Sequence, residues 1–229
     1  MDTHISIVGD SWGYPLLGGC DNPLLYNPED HTENNLIRLG YTVNQYAYGG
    51  ISNVESIHRM QNSPPRHCDW IVWFHTEAFR DFDGQFGTFN DPFRVIDKQN
   101  QILEWTYGEF ERIRSHYDAN VILIGGQAYT VPRLVDRYIK NVKLHIVDWR
   151  AELLGVKRLG THTLCHPYLF EDDCACIDDK QTMYTLINNN TVWLDLMKKS
   201  NLFPDDCHPG GKAHKSLSMR IHKIISSTK

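Results

Sequence analysis

Two uninterrupted apolar segments constrain the fold of this chain most strongly. They are Trp70–Phe74 and Val121–Ile124, and neither contains a polar side chain. A strand with one face in water alternates apolar and polar residues, whereas a strand without that alternation is covered on both faces. Such strands are typical of the centre of a parallel sheet that has helices packed on each side.

Weaker patterns before, between and after these segments complete an alternating order of strands and helices. Further strands are predicted at His4–Val8, Tyr41–Tyr48 and Lys143–Val147. Helices are predicted at Asn34–Gly40, Val95–His116, Thr191–Lys199 and Lys212–Ser226. One more helix is predicted to begin at a cap, Ser52 or Asn53, and to run through Met60. This order predicts an α/β three-layer sandwich with a central, mostly parallel five-stranded sheet and helices on both faces.

Length and composition fit one domain of this type. The 229 residues are 41% hydrophobic and 22% charged, which is typical of a globular chain. We expect a single domain over 1–229, with insertions near 78–93 and 155–185.

Charge and targeting signals exclude several classes of partner. The net charge is −5 and no basic run exceeds two residues, so a nucleic-acid partner is not expected. No apolar run is long enough to span a bilayer, so no membrane partner is expected either. Met1–His4 begins without the basic and apolar regions of a signal peptide, and we therefore expect a cytoplasmic protein.

The six cysteines are expected to be free thiols rather than disulfides or metal ligands. A reducing cytoplasm disfavours disulfides. Cys165, His166, Cys174 and Cys176 are the tightest cluster, but they lack the two-residue gap that is common between zinc-binding cysteines. The sequence therefore predicts neither a metal nor an organic cofactor.

Candidate chemistry lies at the two ends of the chain. Gly9-Asp10-Ser11 follows the first strand, and a serine on a tight turn there can expose its Oγ and offer its own backbone N–H to an oxyanion. The segment lacks the Gly-x-Ser-x-Gly pattern of α/β-hydrolases. Asp205 and His208 precede the last helix. A serine nucleophile needs a histidine base, and the base needs an orienting carboxylate, so the two segments together predict a triad.

These segments resemble the SGNH/GDSL hydrolase family, the flavodoxin-like serine esterases, over residues 5 to about 220. The matching blocks are Gly9-Asp10-Ser11, Tyr48-Gly49-Gly50-Ile51-Ser52 and Asp205-Asp206-Cys207-His208-Pro209. The resemblance implies that Ser11 is the nucleophile, that His208 is the base and that Asp205 orients it. It also implies an oxyanion hole formed by the N–H groups of Ser11 and Gly50. Asp206 is the alternative orienting acid.

The third block departs from the family pattern. Where the family has Gly-x-Asn-Asp, this chain has Phe74-His75-Thr76-Glu77. Thr76, or alternatively His75, is the candidate third oxyanion donor. Trp12, His75 and Glu77 are the candidate substrate-binding residues, although Glu77 could instead join a structural ion-pair network. His214 is expected on the last helix, solvated, and His31 is expected to be an ordinary histidine.

The resulting hypothesis is a serine esterase that hydrolyses a small acyl ester through an acyl-enzyme. The phenylalanines and carboxylates of residues 79–93 suit stacking on sugars, so an O-acetyl group on a carbohydrate is one candidate substrate. Loop packing explains those rings equally well. The alternative is a catalytically weakened or inactive SGNH-fold binding or structural module, which the altered third block would favour. Acyl transfer on the same triad is a third possibility.

Overall fold

The computed structural model describes residues 2–10, 13–14, 28–75, 92–125, 137–139, 143–147, 149–153, 202 and 208–228. Of residues 28, 92–100, 102, 103, 150 and 151, only the backbone is described. Several predicted features lie outside the described residues: the insertion 155–185, nearly all of the insertion 78–93, the helix Thr191–Lys199, every cysteine except Cys68, and Ser11, Trp12, Thr76, Glu77, Asp205 and Asp206.

Five parallel strands form the central sheet. They are β1 (His4–Gly9), β2 (Thr42–Gln45), β3 (Trp70–His75), β4 (Asn120–Gly125) and β5 (Leu144–Val147). Their order is β2-β1-β3-β4-β5, and every neighbouring pair is parallel. The predicted parallel five-stranded sheet is therefore confirmed. The two uninterrupted apolar segments are β3 and β4, which lie next to each other, away from both edges.

The helices alternate with the strands. They are α1 (Thr32–Arg38), α2 (Asn53–Asn62), α3 (Pro92–Tyr117), α4 (Trp149–Leu153) and α5 (Gly211–Thr228), and a 3₁₀ turn (Pro28–Asp30) precedes α1. Ser52 caps α2 by accepting a hydrogen bond from the amide of Glu55 at 3.1 Å, as the sequence predicted. A serine that satisfies an amide of the first turn is a common way to begin a helix.

Apolar layers cover both faces of the sheet. Along β3, Val72 and Phe74 pack in the layer that contains Leu36 of α1 and Leu217 of α5. The intervening Trp73 packs in the opposite layer, formed by α2 and α3. Successive side chains of a strand point to opposite faces, so this division confirms the three-layer sandwich. No helix in the described ranges is long and apolar enough to cross a membrane.

Candidate active site

The end of β1 requires a glycine. Gly9 has φ +127°, and a Cβ atom there would lie 2.2 Å from the carbonyl oxygen of Phe74 in the paired strand. Its amide donates a hydrogen bond of 2.6 Å to Oγ of Ser56 in α2. Because a side chain would meet backbone, only glycine fits between β1 and β3. The first residue of the Gly-Asp-Ser segment is thus explained by packing.

The chain beyond β1 is held tightly against the sheet. Asp10 is completely buried, and the amide of Gly13 donates a hydrogen bond of 3.0 Å to the carbonyl of Asp10. A Cβ atom on Gly13 would lie 2.7 Å from the ring of Phe74. Ser11 and Trp12 are the two residues between these fixed points in the chain.

The second predicted block meets the first at the same edge of the sheet. β1 and β2 are paired in register up to Ile7 and Gln45. Beyond β2 the amide of Tyr48 donates a hydrogen bond of 3.2 Å to the carbonyl of Gly9. Gly50 follows Tyr48 by two residues, just as Ser11 follows Gly9. Its φ is +79° and nothing lies within 4 Å of where its Cβ would stand, so the backbone angle favours glycine here.

His75, at the end of β3, is a core residue in this structure. Its side chain is completely buried, and its Nε2 lies 3.0 Å from the hydroxyl of Tyr107 in α3. The two rings are stacked at 5.7 Å. His75 therefore points into the layer of α2 and α3, like Trp73 two residues before it. The substrate contact predicted for His75 is not supported, because no part of its side chain is exposed.

The segment that carries His208 reaches the same edge through the last helix. Lys143, just before β5, donates a hydrogen bond of 2.6 Å from Nζ to the carbonyl of Thr228, the last residue of α5. The carboxyl end of α5 therefore lies at the amino ends of the strands. Its amino end, which follows the half-buried His208, lies at the carboxyl ends of the strands. Ligands bind at this edge in open α/β sheets.

The turn that carries His208 is fixed by the two glycines that follow it. The amide of Gly210 donates a hydrogen bond of 2.6 Å to the carbonyl of Leu202, and the carbonyl of Gly210 accepts one of 2.9 Å from Ala213. A Cβ on Gly211 would lie 2.7 Å from the Cβ of Asp30. The structure thus brings Asp10, Gly50 and His208 to one edge, while Ser11 and Asp205 stay predictions.

The expectation for His214 was wrong in part. It lies on α5 as predicted, but it is 5% exposed rather than solvated. Its Nδ1 lies 2.9 Å from Oγ1 of Thr32, and its ring lies 3.9 Å from that of His31, which is also buried. Burial lowers the pKa of His214 to about 3, the Pro209 carbonyl opposes this by hydrogen bonding, and the charge of His208 adds to it.

A helical pattern in the sequence could have revealed the burial of His214. The buried residues of α5 are Ala213, His214, Leu217, Ser218, Ile221 and Ile225, a spacing that forms one face of a helix. His214 belongs to that face, and only its polarity suggested exposure.

An aromatic pair that no sequence pattern indicated lies beside the candidate site. The rings of Tyr14 and Tyr48 lie 4.6 Å apart, and Tyr48 is 42% exposed. The guanidinium carbon of Arg59 lies 5.0 Å from the centre of the Tyr48 ring, a cation–π distance. Tyr14 follows Gly13 and Tyr48 precedes Gly49, so both rings adjoin the segments that carry the predicted oxyanion donors.

Two observations concern the rest of the described residues. Within those residues, no group of three or more histidine, cysteine or acidic side chains could hold a metal ion. A cavity of about 390 Å³ is lined by Met60, Arg112 and Tyr117, among others. It lies at the carboxyl ends of α2 and α3, away from the edge that carries His208.

The chain matches no protein-family model and no curated protein. It is similar to solved structures of esterases. One is the psychrotrophic esterase EstA from Pseudoalteromonas sp., at 12% identity and a TM-score of 0.47, covering 99% of this chain and 98% of that chain. Another is AlinE4, an SGNH-hydrolase family esterase, at 14% identity and a TM-score of 0.40, covering 83% of this chain and 94% of that chain.

Proposed function

We propose that this protein is a serine esterase of the SGNH type that hydrolyses a small acyl ester. The observation that carries the proposal is the convergence of Asp10, Gly50 and His208 at the carboxyl edge of the sheet. These residues adjoin or belong to three sequence segments that are far apart in the chain. Nucleophilic catalysis needs a nucleophile, an oxyanion donor and a base in one place, and in this proposal they meet at this edge.

The proposed reaction proceeds through an acyl-enzyme. Oγ of Ser11 attacks the acyl carbonyl carbon while His208 accepts the hydroxyl proton. Asp205 holds the imidazole in the required tautomer and stabilises the imidazolium. His208 then donates that proton to the leaving alcohol, whose bond to the acyl carbon breaks. Water attacks the acyl-enzyme with His208 again acting as base, which releases the acid and restores Ser11.

The oxyanion donors in this proposal are the amides of Ser11 and Gly50. The positive φ and open surroundings of Gly50 support its role, since its backbone is not covered by a side chain of its own. We propose the Thr76 hydroxyl as the third donor, because His75 is buried against Tyr107. Removing one oxyanion donor costs about 10² to 10³ in kcat in other enzymes, so the hydroxyl in place of the family's amide is expected to give modest turnover.

The aromatic pair supports a ring-shaped leaving group. Tyr48 offers exposed ring surface next to Gly50, and tyrosine rings present apolar faces with a polar tip. Trp12 and Glu77 are the other proposed substrate contacts. These groups favour an O-acetyl ester of a carbohydrate among the small acyl esters.

Hydrolysis of p-nitrophenyl acetate tests the function. The wild type should release p-nitrophenol, and Ser11→Ala and His208→Ala should reduce kcat to the background rate. Ser227→Ala is the matched control: the Ser227 hydroxyl bonds to the carbonyl of Ile224 near the far end of α5, so this substitution should leave kcat unchanged. Full turnover by Ser11→Ala would overturn the proposal.

The altered third block favours one second candidate, a binding module that kept the fold without catalysis. Its signature would be a folded wild type that neither hydrolyses p-nitrophenyl acetate nor reacts with a fluorophosphonate. Release of p-nitrophenol that depends on Ser11 would exclude it.

A further inference from the structure

A buried histidine connects α1 to the turn that carries His208. Nδ1 of His214 lies 2.9 Å from Oγ1 of Thr32, the first residue of α1. The amide of the same residue donates a hydrogen bond of 3.1 Å to the carbonyl of Gly210, two residues after His208. The residue therefore joins two elements that are far apart in sequence.

The surroundings of this imidazole keep it in one place. The ring of His31 packs against it at 3.9 Å, and the indole of Trp149 meets it edge-on at 5.2 Å. Ser218 donates from Oγ to the carbonyl of His214 at 2.7 Å. A side chain confined by aromatic rings and hydrogen-bonded to Thr32 has little freedom to change rotamer.

Packing alone does not explain a histidine at this position. Thr32 is completely buried and His214 is 5% exposed, so both polar groups have given up water. Burying polar groups costs free energy that only their hydrogen bonds offset. An aliphatic residue on the buried face of α5 would avoid that cost. The hydrogen bond to Thr32, and what it holds in place, is the reason for a polar ring here.

The element that His214 holds is the one that carries the proposed base. Pro209 follows His208 in the chain, and the amide of Gly210 bonds to Leu202. The N–H of the Pro209–Gly210 peptide is thus held by Leu202, and the Gly210 carbonyl is held by the amide of His214. A shift of either group would move the backbone of His208. Displacements of about 1 Å can cost about 10²-fold in rate when a catalytic group is misaligned.

We propose that His214 is a positioning residue for His208, with Thr32 as its partner: together they fix the first turn of α5 against α1, and so the turn before it and the approach of the His208 imidazole to Ser11. The inference rests on the proposed function of His208. It assigns His214 no contact with substrate. Because His214 is neutral in the fold, it also places no positive charge beside the imidazolium that forms at His208 during catalysis.

Two pairs of substitutions separate positioning from general stability. His214→Leu and Thr32→Val remove the hydrogen bond between α1 and α5, whereas His214→Gln and Thr32→Ser keep a polar partner. The variants His214→Leu and Thr32→Val should lower kcat for p-nitrophenyl acetate about 10- to 100-fold, and their KM should stay within about twofold of the wild-type value. The variants His214→Gln and Thr32→Ser should retain most of the wild-type kcat. A purely structural role would not produce this rescue.

The matched control is His222→Gln. His222 is on the same helix, about 12 Å further along at 1.5 Å per residue, and its Nδ1 lies 2.8 Å from the hydroxyl of Tyr41. This substitution disturbs a comparable hydrogen bond away from the turn, so kcat should stay at the wild-type value. The midpoint of urea unfolding is measured for every variant.

The outcomes are distinguishable. If Ser11→Ala is inactive but folded His214→Leu and Thr32→Val keep wild-type kcat, the positioning role is wrong and the proposed function stands. If kcat falls in His222→Gln as much as in Thr32→Val, the loss reflects stability and the positioning role is also overturned. If His214→Leu does not fold, Thr32→Val decides, since it replaces one hydroxyl by a methyl group. If wild-type turnover does not depend on Ser11, the proposed function itself fails.

Discussion

Acid should destabilise this fold through His214. Burial lowers its pKa to about 3, whereas an unfolded histidine has a pKa of about 6.5. Between these two values the unfolded chain binds a proton at His214 that the folded chain does not. The free energy of unfolding therefore falls as the pH falls through this window and is insensitive to His214 above it.

The size of the effect follows from the pKa difference. Each pKa unit corresponds to about 1.36 kcal/mol, so the full window is worth about 5 kcal/mol at most. Between about pH 7 and about pH 5 the same linkage gives a loss of about 2 kcal/mol from His214 alone. The assay is urea unfolding at these two pH values, for the wild type and for His214→Gln.

The comparison isolates the part of the pH dependence that requires the His214 imidazole. The pH 7 to pH 5 loss in the wild type should exceed the loss in His214→Gln by about 2 kcal/mol. His222→Gln still contains His214 and should keep the wild-type difference. If wild type and His214→Gln lose the same stability on acidification, then His214 is not a buried neutral histidine and the reasoning above is refuted.

Three further predictions follow from single contacts. Gly9→Ala should lower the free energy of unfolding by several kcal/mol in urea, because its Cβ would meet the Phe74 carbonyl; a loss under about 1 kcal/mol would contradict this packing. Tyr107→Phe removes the hydroxyl at Nε2 of the buried His75 and should cost about 1 to 3 kcal/mol, so unchanged urea unfolding would contradict that hydrogen bond. Tyr48→Ala should raise KM for an acetylated sugar severalfold while leaving KM for ethyl acetate, whose leaving alcohol has no ring, unchanged, and an equal effect on both esters would argue against ring recognition.

The sheet was predictable because its pattern is local. The uninterrupted apolar segments predicted β3 and β4, and strand–helix alternation predicted parallel pairing with helices on both faces. The end of β2 was not predictable. The strand was expected to run to Tyr48 but ends at Gln45. The amides of Tyr46 and Ala47 both donate to the carbonyl of Ile7, a contact between strands that no local pattern reports.

The candidate site was predictable only in its backbone. Gly9 and Gly50 have backbone angles that favour glycine, and such angles leave a sequence signal. The orientation of His75 and the burial of His214 depend on α3 and α1, which lie far away in sequence. The contact between Tyr14 and Tyr48 likewise joins the ends of two strands. Side-chain environments of this kind are set by tertiary packing, so residue type alone suggested the wrong surroundings for both histidines.

The central claim is that Ser11 is a nucleophile activated by His208. The most direct measurement is the intact mass of the protein after incubation with a fluorophosphonate, followed by peptide mapping. The account predicts one adduct per chain on the peptide that contains Ser11, no adduct in Ser11→Ala, and at least about 100-fold slower labelling in His208→Ala. Ser227→Ala should label at the wild-type rate. An adduct on another residue, or equal labelling of wild type and Ser11→Ala, would contradict the account.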